Sequence, residues 1–372
     1  MDERKCHEEI FWPDKGKIMK RWQIVLVITV LFLSGCTHMG PKTVPRDRFD
    51  YNTAISDSWK EQTLLNIVKI RYIDMPLFVD VASIVSGYTL QSSVNLGGTV
   101  SSESAIQGDF ANLGASGTFT DRPTITYTPI TGQQFNKSFM TPIPPGAILF
   151  MIQSGWPADI IYNITVDSVN GLRGRVSGGS SARPGDPKFS RMVELMRIIQ
   201  KSGAVGMRII KGEDQKETTV LFFHRKNIPA EIQDAMKEVS TLLGLQPGVQ
   251  EVKVGYGLIQ KDDTEIAMLT RSMMQIMVEL ATQINVPQEH ITEGRTPPRK
   301  FWGDKDNYLI KINNSKEKPE NAFVTVRYRD YWFYIDDRDL ISKRTFTFLM
   351  ILFSVTETGG KEGLPLVTIP AG

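Results

Sequence analysis

Few side chains able to do chemistry occur in this 372-residue chain, and they are scattered. Of four histidines, His7 and His38 lie near the N-terminus, His224 ends a strand pattern and His290 falls in a loop pattern. Neither of the last two has a second His or Cys nearby, so the spacings that hold a metal are missing. There is no Gly-x-Ser-x-Gly elbow. Gly359-Gly360-Lys361 is followed by Glu362 instead of the hydroxyl a phosphate loop needs. Ser315 and Lys318 have a Ser-x-x-Lys spacing, but in a run of charged residues. Asp262-Asp263 precede an apolar run and read as helix caps. Asp336, Asp337 and Asp339 offer either carboxylate or calcium chemistry, or capping and pairing with Arg338 and Arg344. Tyr331, Trp332, Phe333 and Tyr334 alternate across a strand, which leaves one face for the core and one able to stack on a sugar. Arg173, Arg175 and Arg183, with Gly174, Gly178 and Gly179, make the loop Gly171–Pro187 either an anion site or a solvated loop. No set completes a catalytic motif, so the expectation is a protein that is not an enzyme and holds no cofactor or metal.

The N-terminus is more informative. Lys20 and Arg21 precede the apolar run Trp22–Leu33, and Leu33-Ser34-Gly35-Cys36 follows it. Cations, a short apolar segment and small residues describe a secretory signal peptide. The run is too short to cross a ~30 Å hydrocarbon core as a helix. The last four residues resemble the lipobox of bacterial lipoproteins. That resemblance implies cleavage after Gly35 and lipidation of Cys36. Thr37, where Asp would favour inner-membrane retention, points to the outer membrane, with the mature chain facing the periplasm. Residues 1–18 are polar and fit poorly ahead of a signal peptide, so Met19 is the expected start.

The expected layout is a signal peptide over 1–35, a lipidated tether over 36–50, a helix-plus-hairpin region over 51–145, an α/β domain over 146–260 and an α+β region over 261–372. A net charge of +2 gives no reason to expect nucleic acid as a partner. Cys6 and Cys36 are the only cysteines, so the mature fold relies on core burial instead of disulfides.

The most unusual stretch is Val81–Thr120. These 40 residues carry two charges, Glu103 and Asp109, where a 23% charged chain leads one to expect about nine. Around those charges the pattern alternates with period two. Tyr88, Leu90, Val94, Leu96 and Val100 fall on one face of the outgoing strand, and Leu113 and Phe119 fall on the same face of the return. Gln91, Ser93, Asn95, Ser116 and Thr118 fall on the other. A soluble sheet usually carries Lys or Glu on its wet face. Three readings remain: strands of a membrane barrel shared between protomers, a hairpin packed on a sheet or partner, or a Ser/Gly-rich loop.

Further on, Tyr51–Tyr72 reads as a helix stopped by Pro76, and Pro145 opens a helix through Gln153. Strand Ile160–Val169, helix Lys188–Ser202, strands Gly206–Lys211 and Thr218–His224, helix Ala230–Leu243 and strand Glu251–Leu258 give a βαββαβ order, that of a ferredoxin-like unit. Thr264–Ile284 reads as a methionine-rich helix. Tyr308–Ile312, Ala322–Tyr328 and Tyr331–Ile335 read as strands, and a helix through Phe353 follows, capped by Asp336 or Asp337. The expected class is therefore α+β with mostly antiparallel strands.

The functional expectation is an outer-membrane lipoprotein that takes part in assembly or export. Its partners would be the membrane, through its lipid, and envelope proteins or further copies of itself. The layout is similar to that of lipoprotein export pores such as the curli secretion channel, in arrangement and not in motif. The alternatives are a monomeric envelope-polymer or protein binder using the strand around Trp332, and a carboxylate-dependent envelope hydrolase.

Overall fold

The computed structural model describes residues 44–85, 88–99, 110–178, 182–211, 217–223, 228–298 and 308–356. The chain divides into a unit Met1–Ser58, of which only residues 44–58 are described, and a unit Trp59–Gly372. The class is α+β with mostly antiparallel sheets, as expected.

Helix α1 runs over Val44–Arg71 and so takes up half of the expected tether. It buries Leu64, Ile67, Val68 and Arg71. Strands β1 (Val79–Val85), β2 (Tyr88–Thr99), β3 (Phe110–Asp121) and β4 (Thr124–Pro129) follow. Next come a short helix α2 (Gly132–Phe135) continuing into a π turn (Asn136–Met140), α3 (Pro145–Gln153) and α4 (Ala158–Thr165). Pro145 opens α3 as its sequence predicts. Gly146 lets that helix approach the main sheet, because a Cβ there would lie 2.7 Å from Thr219 Oγ1.

The main sheet has six strands in the order β6-β5-β10-β9-β8-β7, and only β9 and β10 run parallel. Its members are β5 (Val166–Val169), β6 (Leu172–Arg173), β7 (Val205–Lys211), β8 (Glu217–Phe223), β9 (Glu251–Tyr256) and β10 (Glu265–Thr270). Helices α5 (Pro187–Ser202) and α6 (Ala230–Leu242) connect them. This is not a ferredoxin-like order. There the first strand would lie between the third and the fourth, whereas here β10 separates β5 from β9 and β8 pairs with β9 instead. Two local corrections explain the departure. Ile160–Val169 is mostly helix, because Ile161, Ile164 and Thr165 recur at helical spacing behind Pro157 and are all buried. Thr264–Ile284 is not one helix but strand β10 followed by α7 (Met273–Ala281). Ser272 and Gln275 form a capping box that starts the helix there.

A short helix α8 (Gln288–Thr292) interrupts the expected loop. Tyr308–Ile312 holds a single bridge from Ile312 to Ile284, and the strand begins only at β11 (Asn313–Ser315). The hairpin β12 (Ala322–Tyr328) and β13 (Tyr331–Asp336) turns through Arg329 and Asp330, both at positive φ, in the two-residue geometry that suits strand twist. Helix α9 (Leu340–Thr356) closes the described chain. Its cap is Asp339, which accepts from the Ser342 N–H at 3.1 Å and the Ser342 hydroxyl at 2.7 Å. Asp336 instead accepts from the Arg338 N–H. A single hydrophobic core passes through all three regions anticipated for the mature chain, joining Leu64, Ile161, Met277, Phe333 and Phe346. Among the described residues no helix is long and apolar enough to cross a membrane.

Candidate functional site: the ribbon and its root

Strands β2 and β3 pair along their full length. Tyr88 faces Asp121, Leu90 faces Phe119, Val94 faces Ala115 and Leu96 faces Leu113. These pairs place Tyr88, Leu90, Val94, Leu96, Leu113 and Phe119 on one register set, as the alternation predicts. Val100 and Cys36 lie outside the described residues. On the alternate positions Gln91, Ser93, Asn95, Ser116 and Thr118 are exposed. Ser93 and Ser116 share a cross-strand hydrogen bond of 2.6 Å between their hydroxyls.

The register does not end with this hairpin. Val85 faces Thr124, and three residues on Tyr88 faces Asp121, so the β1–β4 pair keeps the register of the β2–β3 pair. The β2–β3 pair, 12 residues a strand, is on the order of 40 Å long at ~3.3 Å per residue, and β1–β4 forms a separate two-stranded sheet at its base. A single irregularity between Val81 and Ser83 interrupts it. Ile125 and Tyr127, on alternate positions of β4, are exposed. Among the described strands β2 and β3 pair only with each other.

The ribbon is firmly held at its root. Two α1 amides one turn apart do this. The Asn66 side chain donates to the Leu77 carbonyl at 2.8 Å and accepts from the Leu77 N–H at 3.0 Å. Gln62 does the same for Val79, at 3.1 Å and 2.8 Å. Each amide imitates a neighbouring strand, so the backbone entering β1 is paired before its partner strand arrives. Ile130 then donates to the Phe78 carbonyl at 2.9 Å and brings the return strand in. Phe78 packs on Phe139 at 4.1 Å and on Phe353 at 5.7 Å between ring centroids. The available signal was the pair Gln62 and Asn66, polar residues four apart beside the apolar stripe of α1.

The other candidate groups are placed as follows. Asp337 pairs with Lys343 at 2.6 Å, so the three carboxylates Asp336, Asp337 and Asp339 all serve the start of α9. Tyr331, Phe333 and Ile335 turn into the core, while Trp332 and Tyr334 are half-buried and Lys318 lies over the Trp332 ring at 5.5 Å. His290 is buried, with Nδ1 2.7 Å from the Tyr72 hydroxyl. Burial and the Arg295 charge hold its pKa below the ordinary histidine value, and burial pushes the Tyr72 hydroxyl up to about 12. Arg183 pairs with Asp167 at 2.8 Å, and the Arg175 carbonyl accepts from Arg271 at 2.6 Å. The Arg183 side chain and the Arg175 carbonyl are thus built into the fold, while Arg173 is exposed. Gly178 belongs to that packing, since a Cβ there would lie 2.7 Å from Val278 Cγ1.

Sequence reasoning missed Arg271 and Glu279. Both are 4% exposed. Arg271 donates to the carbonyls of Asn163, Ile164 and Arg175, and burial lowers its pKa while Glu279 raises it. The signal for Glu279 was a carboxylate three residues after Ile276, on the buried side of α7. Among the described residues no group of three or more His, Cys, Asp and Glu side chains is placed to hold a metal. No protein-family model, curated protein or solved structure matches this chain.

Proposed function

We propose that this protein is a non-enzymatic lipoprotein of the bacterial outer membrane, anchored through Cys36, in which several copies join their ribbons in one membrane assembly used for assembly or export. The observation that carries the reading is the ribbon, in which β2 and β3 pair residue for residue without a shift, the root is held by α1, and no ionisable residue lies between Asp109 and Asp121 on the return strand. Strands of 12 residues are on the order of 40 Å long, and at barrel tilts of about 35–45° they rise roughly 30 Å, the thickness of a hydrocarbon core. An isolated ribbon has two open edges that hydrocarbon does not tolerate. Ribbons from neighbouring copies would pair those edges and leave the register set of Leu90 and Val94 toward lipid and that of Ser93 and Asn95 toward the lumen.

The test is the size and membrane behaviour of the full chain. A ring in detergent supports the reading, and a monomer overturns it. With Cys36→Ala, continued membrane association supports a second attachment through the ribbon. Release as a soluble monomer leaves the lipid as the sole anchor and removes the membrane role of the ribbon.

A further inference from the structure

The six-stranded sheet ends on one side at β6, two residues long, and on the other at β7, seven residues long. Among the described strands β7 pairs only with β8, from Val205–Phe223 to Lys211–Glu217, so the N–H and C=O groups that point away from β8 have no described strand beside them. The far half of that edge is apolar on both faces. Ile209 is 52% exposed and Ile210 is 41% exposed. Ile209 stands opposite Thr219 and shares its face, on which Gly146 of α3 rests. Ile210 turns to the other face. Phe150, one turn after Gly146 on α3, is exposed as well. Free edges are normally blunted by shortness, proline or charge. Here Arg208 is drawn inward, paired with Glu251 of β9 and lying over the Phe222 ring at 5.9 Å, and the only other charge on the strand is Lys211 at its end.

The chain carries a segment whose pattern suits such an edge. Pro365-Leu366-Val367-Thr368-Ile369-Pro370 lies beyond the described residues, after α9 ends at Thr356. Its four central residues are uncharged, and Val367, Thr368 and Ile369 are β-branched. The flanking prolines limit a strand here to those four residues and confine it to an edge, because a proline cannot donate to a ladder. Alternation puts Leu366 and Thr368 on one face and Val367 and Ile369 on the other, so each face has apolar surface to set against Ile209 or Ile210. The reach is sufficient. Phe353 of α9 packs on Phe139 at 5.5 Å and Phe348 packs on Trp156 at 5.3 Å between ring centroids. These partners precede and follow α3, so α9 runs past both ends of the helix that rests on β8, and one helix layer of about 8–10 Å separates it from the sheet. The ten residues from Thr356 to Leu366 span up to ~33–36 Å. We propose that Leu366–Ile369 adds to the free edge of β7 in its own chain, pairing its backbone with β7 and covering Ile209 and Ile210. The proposal does not depend on the ribbon reading.

Amide hydrogen exchange on the detergent-extracted full chain tests it. The β7 amides that point away from β8 should be protected, and deletion of residues 357–372 should speed their exchange tenfold or more while β9 is unchanged. Val367→Pro keeps the length of the tail but removes a donor from the middle of the added strand, and it should have the same effect as the deletion. Equal β7 exchange in all three proteins overturns the proposal. Faster exchange on deletion that Val367→Pro does not reproduce overturns it too, since the tail then acts otherwise than as a paired strand. Protection of β7 that is lost on dilution assigns the strand to another copy and overturns the same-chain pairing.

Discussion

Two of the antiparallel hairpins, β12–β13 and β2–β3, have opposite surface treatment. In β12–β13 the turn is tight, Tyr331, Phe333 and Ile335 are buried in the core, and the chain around them carries Arg327, Arg329, Asp330 and Asp336. Arg329 lies over the rings of Tyr72 and Tyr328 at 5.1 and 5.4 Å, and Tyr328 donates to Asp74 at 2.8 Å. In β2–β3 the ladder is longer and the exposed positions bear hydroxyl, amide or glycine. Hairpin geometry does not demand the loss of charge, since the same chain builds a well-paired hairpin with charges. What differs is the chemistry of the exposed positions. The exposed positions of β2–β3 are the ones that lack Lys, Arg and Glu, the residues that keep free edges from pairing with other chains.

The contrast can be broken by moving a charge from one hairpin to the other. Val94→Lys should abolish ring assembly, measured as a shift to monomer in detergent, while the thermal midpoint of the platform stays within a degree or two. Unchanged assembly would sink the lipid-facing assignment of that register set. The converse change acts on stability. Phe333→Ala should cost about 3–5 kcal/mol in denaturant unfolding, because it empties a fully buried ring site in the core. A loss below about 1 kcal/mol would mean that β12–β13 does not depend on the core.

A smaller effect is expected at the root. Asn66→Ala leaves the Leu77 N–H and C=O without their side-chain partners, a loss of about 1–3 kcal/mol. Amide exchange should rise along β1 and not along β12, and uniform exchange in both would count against a bolted root. The smallest effect is in pH. His290 is the one histidine among the described residues, and its pKa is held below the unfolded value of about 6.5. Its neutral form is therefore favoured on folding. That contribution is fully present above pH ~6.5 and is lost as pH falls through the lowered folded value. Unfolding midpoints should decline on acidification below about 6.5, before the carboxylates titrate, and His290→Gln should flatten the decline. An equal slope in both proteins would exclude His290 as the source.

The parts of the fold that were legible in the sequence are those set by local chemistry. Alternation and the dipeptide Arg329-Asp330 reveal the β12–β13 hairpin, Pro145 marks the start of α3, and period two gives the register set of the ribbon. The illegible parts depend on distant partners. The stretch Glu265–Leu280 is apolar at both helical and strand spacings, and only the Ser272–Gln275 box divides it. The insertion of β10 between β5 and β9 is a matter of long-range pairing that no window of sequence contains. The pairing of β1 with β4 was not legible because an irregularity between Val81 and Ser83 breaks the alternation of β1.

The start of α1 at Val44 sets a limit of another kind. Eight peptide units separate Val44 from Cys36, and a fully extended chain reaches at most about 3.3–3.6 Å per residue. With Cys36 lipidated, the first turn of α1 stays within roughly 29 Å of the acyl-bearing residue whatever the intervening backbone does. The anchor then works as a short leash. Under the proposed anchoring it would keep the N-terminal turn of α1 near one leaflet and favour encounters between copies in the plane of the membrane.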